Sequence, residues 1–121
     1  MNRRILVIED TEDNRQILRD LFAATEYDLI EATDGEAGVA MAIAERPDLI
    51  LMDIQLPLLD GYEATRRIKA EPALSGVPII AVTSYALAGD EAKARAAGCD
   101  AYVSKPFSPR QLLAKVRELL R

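Results

Sequence analysis

Short apolar runs alternate with amphipathic stretches along the chain. Apolar residues fill segments 5–8 and 49–52 without interruption, and polar or turn-forming residues follow each segment. Uninterrupted apolar runs of this length predict strands that are buried on both faces. Between the runs, apolar residues recur three and four positions apart, which predicts helices with one buried face.

The predicted strands and helices alternate five times. We expect strands at residues 5–8, 27–32, 48–53, 77–83 and 101–104. We expect helices at residues 14–24, 62–70, 91–97 and 109–120, and an alanine-rich second helix between Gly35 and a stop at Pro47. This alternation is typical of an α/β fold, a doubly wound five-stranded parallel sheet with helices on both faces.

The helix termini and faces carry further signals. Asp13, Asp90 and Ser108 are candidate N-caps, because their side chains can accept hydrogen bonds from the first backbone amides of a helix. In the second helix, three residues are expected to face the core: Val39, Ala40 and Ile43.

Composition and charge narrow the classes of function. A chain of 121 residues forms one domain with a sizeable core. The net charge of -5 argues against a nucleic-acid-binding surface. The first apolar run is too short for a signal peptide or a membrane span, so we expect a cytoplasmic protein with no membrane partner. The single cysteine, Cys99, cannot form an internal disulfide and is interpreted as a small buried residue.

Three carboxylates follow or end two of the predicted strands. Asp53 ends the 48–53 strand, and Glu9 and Asp10 follow the first strand. Because the carboxyl ends of parallel strands share one edge, these acids should lie together and repel one another unless a cation binds. Mg²⁺ suits such oxygen ligands. We expect Asp10, Asp53 and the backbone carbonyl of Gln55 as direct ligands, with Glu9 acting through water; the alternative is that the acids only cap helices.

Two further polar residues end or follow strands. The hydroxyl of Thr83 could donate to a phosphoryl oxygen on Asp53, or Thr83 could be an edge residue or helix cap. Lys105 could neutralise the acids and a phosphoryl group, although Lys105-Pro106 alone predicts only a turn. A cis bond before Pro106 would aim the lysine inward. The chain has no histidine, which excludes histidine-based catalysis and leaves Asp53 as the candidate nucleophile.

Together these residues resemble the receiver domain of two-component response regulators. The resemblance covers essentially residues 5–119, and the motif residues occur in the family's order: Glu9-Asp10, Asp53 with the following LPLLDG segment, Thr83 and Lys105-Pro106. It implies the flavodoxin-like, CheY-like strand order 2-1-3-4-5. It also implies a single receiver domain over residues 1–121 without an output domain, as in CheY-like and DivK-like regulators; a receiver excised from a larger protein is the alternative.

The resemblance implies a function and partners. Asp53 would accept a phosphoryl group from a histidine kinase or a histidine phosphotransfer protein, with Mg²⁺ bound. Lys105 would pair with that group and Thr83 would turn toward it, while Tyr102 would be a switch residue or an ordinary strand aromatic. The chain would promote its own phosphorylation and dephosphorylation rather than act as an enzyme on other substrates. The positions of Gln55 and Tyr85 tune dephosphorylation in this family.

Surfaces for partners are implied in the same way. The fourth helix, fifth strand and fifth helix would present the switched surface to a downstream target protein. The first helix and Pro106-Phe107 would dock the histidine donor. The protein would be a monomer or a phosphorylation-dependent dimer, with no nucleic-acid partner.

Two other functions compete with this interpretation. A magnesium-dependent phosphohydrolase would use Asp53 on small phosphate esters, but such enzymes carry a second aspartate two residues later, where this chain has Gln55. They also need a substrate-capping insertion, for which the chain has no room. A receiver-like scaffold that binds partners without phosphorylation is the third possibility, and the complete set of acids argues against it.

Overall fold

The computed structural model describes residues 2–83 and 90–120. Its strands are β1 (Arg4–Ile8), β2 (Asp28–Ala32), β3 (Leu49–Asp53), β4 (Ile79–Thr83) and β5 (Ala101–Ser104). Its helices are α1 (Glu12–Phe22), α2 (Gly35–Glu45), α3 (Gly61–Ala70), α4 (Asp90–Ala97) and α5 (Pro109–Leu119), and a short 3-10 helix (Pro72–Leu74) lies between α3 and β4. The predicted α/β alternation is confirmed.

The strands form one parallel sheet in the order β2-β1-β3-β4-β5. β3 lies in the middle of the sheet and is buried along its whole length, as the unbroken apolar run predicts. In the register of the sheet, Ile8 pairs with Met52 and Asp53 pairs with Val82. The carboxyl ends of β1, β3, β4 and β5 therefore share one edge. The strand order implied by the family resemblance is confirmed.

The two faces of the sheet carry separate hydrophobic clusters. Leu6 and Ile50 belong to the cluster covered by α2, α3 and α4. Val7 and Leu51 belong to the cluster covered by α1 and α5. Alternate residues of a strand point to opposite faces, so each central strand contributes to both clusters. This packing holds the strand ends in fixed relative positions.

The helix caps agree with the sequence in part. Ser108 caps α5 by accepting a hydrogen bond from the backbone amide of Gln111 at 3.3 Å. The assignment of Asp13 as a cap is wrong, because α1 begins earlier and Thr11 occupies the N-cap position. Asp13 lies in the first turn, where its charge interacts favourably with the helix dipole. Asp90 is also helical rather than an N-cap, since α4 includes it.

The predicted inward face of α2 is largely wrong. Ala40 and Ile43 are exposed, whereas Gly38 and Ala42 are buried. At Gly38 a side chain would have no room, because a Cβ atom there would lie 2.5 Å from Cδ1 of Ile8. The close approach of helix and strand selects the face with the smallest residues.

Cys99 is buried, as expected, with its sulfur 3.7 Å from the hydroxyl of Thr65, and burial raises the pKa of its thiol. Within residues 2–83 and 90–120, none of the helices has both the length and the apolar composition required to span a bilayer.

Candidate functional site

The predicted acids meet at the carboxyl edge of the sheet. Glu9 and Asp10 directly follow β1, and Asp53 is the last residue of β3. Glu9 and Asp53 are 3% and 6% exposed, whereas Asp10 is exposed. One carboxylate oxygen from each residue lies within 4.8 Å of the others. The site thus combines two buried acids with a third that faces solvent.

Lys105 enters the same site from the end of β5. Its Nζ atom lies 2.8 Å from Oε1 of Glu9 and 3.7 Å from Oδ2 of Asp53. The peptide bond between Lys105 and Pro106 is cis, and the lysine side chain points inward as expected. One ammonium group therefore lies within ion-pair distance of two of the three carboxylates.

Glu9 is held in its charged form. The backbone amide of Thr11 donates to Oε2 of Glu9 at 3.1 Å, and the guanidinium of Arg15 donates to the Glu9 carbonyl at 2.8 Å. Burial acts to raise the pKa of Glu9, but the hydrogen bonds from Lys105 and Thr11 outweigh it and lower the pKa below its ordinary value. Asp53 therefore has a negative charge beside it.

The pKa of Asp53 is shifted in the opposite direction from that of Glu9. Burial raises the pKa of Asp53 to about 7, against a hydrogen bond from the backbone amide of Gln55 to Oδ1 at 3.0 Å. The charge of Glu9 raises this pKa further, while Lys105 opposes the rise. Without a second cation, the site disfavours the charged form of Asp53.

The donor set fits a hard divalent cation. Three carboxylates exceed the single ammonium group, and Mg²⁺ prefers oxygen ligands while keeping several waters. The exposed Asp10 lies on the side where such waters have access. The cluster and its excess negative charge therefore favour Mg²⁺ over a purely structural ion-pair network.

A contact that the sequence did not predict joins Gln55 to Thr83. The side-chain Nε2 of Gln55 donates to Oγ1 of Thr83 at 3.2 Å. Thr83 is 3% exposed, and it ends β4 one residue beyond the register partner of Asp53. The only signal in the sequence was the position of Gln55, two residues after the central acid.

A cavity opens beside the acids. It has a volume of about 410 Å³ and lies between α1 and the segment that follows β5. Its apolar lining includes Ile17, Leu18 and Phe107, and Asp53 and Lys105 line its polar end. The cavity could receive part of another molecule next to Asp53.

Tyr102 lies away from the acids. It is half-buried on β5 and packs against the cluster under α2, α3 and α4. Burial raises the pKa of its hydroxyl, with further contributions from the charges of Asp90 and Glu91 on α4. This placement suits either interpretation of Tyr102, so the switch role stays a prediction. Tyr85, the other tuning position, lies outside the described residues.

Comparison with known proteins identifies the family and agrees with the fold. The family model described as the response regulator receiver domain matches residues 5–117. The chain belongs to the response regulator receiver domain family. As a receiver domain, it is the phosphoacceptor module of a two-component system, which implies a kinase or phosphotransfer partner and a downstream target.

Its sequence is similar to that of DivK response regulators over nearly the whole chain. It is 41% identical over 120 residues to the polar-differentiation response regulator DivK of Brucella anthropi. The aligned region covers 99% of this chain and 98% of the relative. The DivK protein of Brucella ovis is 40% identical with the same coverage.

Solved structures agree with this assignment. The receiver domain of the sensor histidine kinase PA1611 from Pseudomonas aeruginosa superposes with a TM-score of 0.92 and 37% identity, covering 99% of this chain and 98% of that one. That structure has a magnesium ion in its active-site cleft. The chemotaxis protein CheY4 of Vibrio cholerae has the same fold, with a TM-score of 0.92, 24% identity, and coverage of 99% of this chain and 100% of that chain.

Proposed function

We propose that Asp53 is the phosphoacceptor of this receiver domain. The observation that carries the proposal is the position of Asp53, buried within 4.8 Å of Glu9 and Asp10 and within ion-pair distance of Lys105. A carboxylate that attacks a phosphorus atom needs cations around it to offset the charge of the transferred group. Glu9 has the same neighbours, but its two carboxylate oxygens, Oε1 and Oε2, already accept hydrogen bonds from Lys105 and from the backbone amide of Thr11.

The proposed reaction moves one phosphoryl group. A carboxylate oxygen of Asp53 forms a bond to phosphorus while the phosphorus–nitrogen bond of a donor phosphohistidine breaks. The electron pair of that bond returns to the imidazole nitrogen, and the product on the receiver is an acyl phosphate. Lys105 would pair with one phosphoryl oxygen, and the Thr83 hydroxyl would donate to another. Hydrolysis of the acyl phosphate, promoted by the same site, would end the signal.

Mg²⁺ is the proposed cofactor. Asp10, Asp53 and the backbone carbonyl of Gln55 would bind it directly, and Glu9 would act through water. When bound, the ion would neutralise charge on the phosphoryl oxygens. Support comes from the excess of three carboxylates over one ammonium group and from the magnesium ion in the PA1611 receiver.

The proposed partners use two surfaces. The histidine donor, a kinase or a phosphotransfer protein, would dock on α1 and Pro106-Phe107, where the apolar cavity leads to Asp53. A downstream target protein would bind the surface formed by α4, β5 and α5, with Thr83 and Tyr102 as switch residues. We propose a cytoplasmic protein that acts as a monomer or as a phosphorylation-dependent dimer, without nucleic-acid or membrane partners.

A phosphohydrolase acting on small esters is disfavoured. The residue two positions after Asp53 is Gln55, whose amide donates to Thr83 and has no acid function. The receiver domain is therefore proposed to turn over only its own acyl phosphate, and a phosphate-ester assay should show no turnover.

The test is intact-protein mass spectrometry after incubation with acetyl phosphate. We expect an adduct of one phosphoryl group that requires Mg²⁺ and is absent from Asp53→Asn. The control variant Asp28→Asn changes an exposed acid on β2, and it should form the adduct at the wild-type rate. Wild type that binds Mg²⁺ but forms no adduct in a rapid-quench time course would contradict the proposed function.

A further inference from the structure

Gln55 contacts two residues that the proposed function uses. Its backbone amide donates to Oδ1 of Asp53 at 3.0 Å, and its side-chain Nε2 donates to Oγ1 of Thr83 at 3.2 Å. Gln55 is half-buried and Thr83 is buried, so solvent competes weakly for the second bond. One residue therefore links the proposed phosphoacceptor on β3 to a hydroxyl group on β4.

The direction of the second bond has a chemical consequence. A threonine hydroxyl has one proton to donate and two lone pairs with which to accept. The amide of Gln55 occupies a lone pair of Oγ1, so this bond does not use the hydroxyl proton. Phosphoryl oxygens only accept hydrogen bonds. Accepting a hydrogen bond from Gln55 makes the hydroxyl of Thr83 a stronger donor, which is the role that a phosphoryl group on Asp53 requires of it.

We infer that Gln55 is a positioning residue whose side-chain amide orients the Thr83 hydroxyl for donation to the phosphoryl group on Asp53. The inference rests on the proposed function and adds a role in phosphoryl transfer for a side chain whose position tunes dephosphorylation in this family. The hydrogen bond to Asp53 anchors the backbone of Gln55, so its side chain reaches Thr83 from a fixed point. Successive donation from amide to hydroxyl to phosphoryl oxygen strengthens each bond in turn.

Three substitutions separate this role from simple packing. Gln55→Met keeps the length of the side chain and removes the donor. Thr83→Val removes the hydroxyl and keeps the branched shape, whereas Thr83→Ser keeps the hydroxyl. If Gln55 acts through the hydroxyl, its substitution should change the rate of adduct formation and the melting temperature when residue 83 is threonine or serine. It should change neither when residue 83 is valine.

The first measurement is the initial rate of adduct formation from acetyl phosphate at saturating Mg²⁺. We expect Gln55→Met to lower the rate about threefold in wild type and in Thr83→Ser, which is within the range of a lost neutral hydrogen bond. In Thr83→Val, the same substitution should leave the rate unchanged. An equal decrease in all three backgrounds would overturn the inference, as would an unchanged rate in wild type. An increased rate would overturn it too, because Gln55 would then restrain Thr83.

A second measurement does not depend on phosphorylation. In Mg²⁺-free buffer, Gln55→Met should lower the melting temperature in wild type and Thr83→Ser but not in Thr83→Val. Equal shifts in all three backgrounds would show that the amide and the hydroxyl are not coupled, and would overturn the inference. Failure of wild type to form any adduct would contradict the proposed function instead, and the melting-temperature cycle would still test the hydrogen bond.

Discussion

Lys105 brings an ammonium group within ion-pair distance of two buried carboxylates. Its Nζ atom lies 2.8 Å from Glu9 and 3.7 Å from Asp53. We expect Lys105→Met to destabilise the Mg²⁺-free protein by about 3 kcal/mol, because a buried acid loses its partner. Lys115→Met is the control, since that lysine forms a solvent-exposed pair with Glu118 at 3.6 Å and should contribute about 0.5 kcal/mol or less. Urea denaturation would measure both, and equal effects would contradict this account of the site.

Asp53 should make the stability of the metal-free protein depend on pH. Its pKa is raised to about 7 by burial and by the charge of Glu9, against an ordinary value of 3.8. The folded protein therefore retains a proton that the unfolded chain releases, and this group's contribution to stability falls as pH rises from about 4 to about 7.

Asp53→Asn removes that dependence. In low-salt buffer with a chelator, the substitution should raise the melting temperature by several degrees at about pH 8 and by less at about pH 5. Thermal denaturation monitored by tyrosine absorbance or calorimetry would measure the difference, because the chain has no tryptophan. A difference that stays constant or shrinks with rising pH would contradict the clustering of charges.

At the scale of residues, the sequence predicted positions better than contacts. The positions of Glu9, Asp10 and Asp53 followed from their places at strand ends, since parallel strands share an edge. The hydrogen bond between Gln55 and Thr83 was not predictable in this way. A side-chain amide can turn toward several partners, and the backbone pattern does not specify its rotamer.

The turn between β3 and α3 brings the backbone of one element against the other. A Cβ atom at Gly61 would lie 2.5 Å from the carbonyl oxygen of Asp53 and 2.6 Å from Cα of Ile54. Only glycine fits there without moving the end of β3, where Asp53 lies. The turn therefore sets the position of the proposed phosphoacceptor.

Gly61→Ala should destabilise the protein by about 2 kcal/mol and slow adduct formation, because β3 must shift to accommodate the methyl group. Gly76→Ala is the matched control, since a Cβ atom there meets nothing within 4 Å. It should leave stability within about 0.5 kcal/mol of wild type. Denaturation and adduct-formation rates would be compared for the pair, and similar behaviour of the two variants would contradict the role of the turn.

The elements differ in how well the sequence predicts them. β3 was evident because burial on both faces requires an unbroken apolar run. The inward face of α2 was not, because this helix is rich in alanine and apolar nearly all round, so periodicity selects no face. Its orientation depends instead on Gly38, whose lack of a side chain allows the helix to approach Ile8.

In the receiver domain as a whole, packing of the hydrophobic core brings the charged residues at the edge of the sheet together. Two hydrophobic clusters fix the sheet between its helices, and the sheet holds the three carboxylates together. The α/β class followed from the alternation of predicted elements, whereas the strand order came from the family resemblance. Alternation alone is compatible with several orders of parallel strands, because the helical crossovers permit more than one path.

Binding of Mg²⁺ should stabilise the whole domain. We expect the melting temperature to rise with the logarithm of the Mg²⁺ concentration above Kd, because the folded site binds the ion and the unfolded chain does not. The added stability should be about 1.4 kcal/mol at a tenfold excess over Kd. Asp10→Asn should weaken this response. Calorimetry with NaCl at matched ionic strength as the control would measure it. A melting temperature that stays unchanged up to tens of millimolar Mg²⁺ would contradict the metal site.

The most direct test of the central claim is to locate the phosphoryl group. Borohydride reduces an acyl phosphate to the corresponding alcohol, so phosphorylated protein can be reduced, digested and analysed by peptide mass spectrometry. We predict homoserine at position 53, dependent on both acetyl phosphate and Mg²⁺, with Glu9 and Asp10 unchanged. Reduction at Glu9 or Asp10, or a stable phosphoryl adduct that borohydride does not alter, would contradict the assignment of Asp53 as the phosphoacceptor.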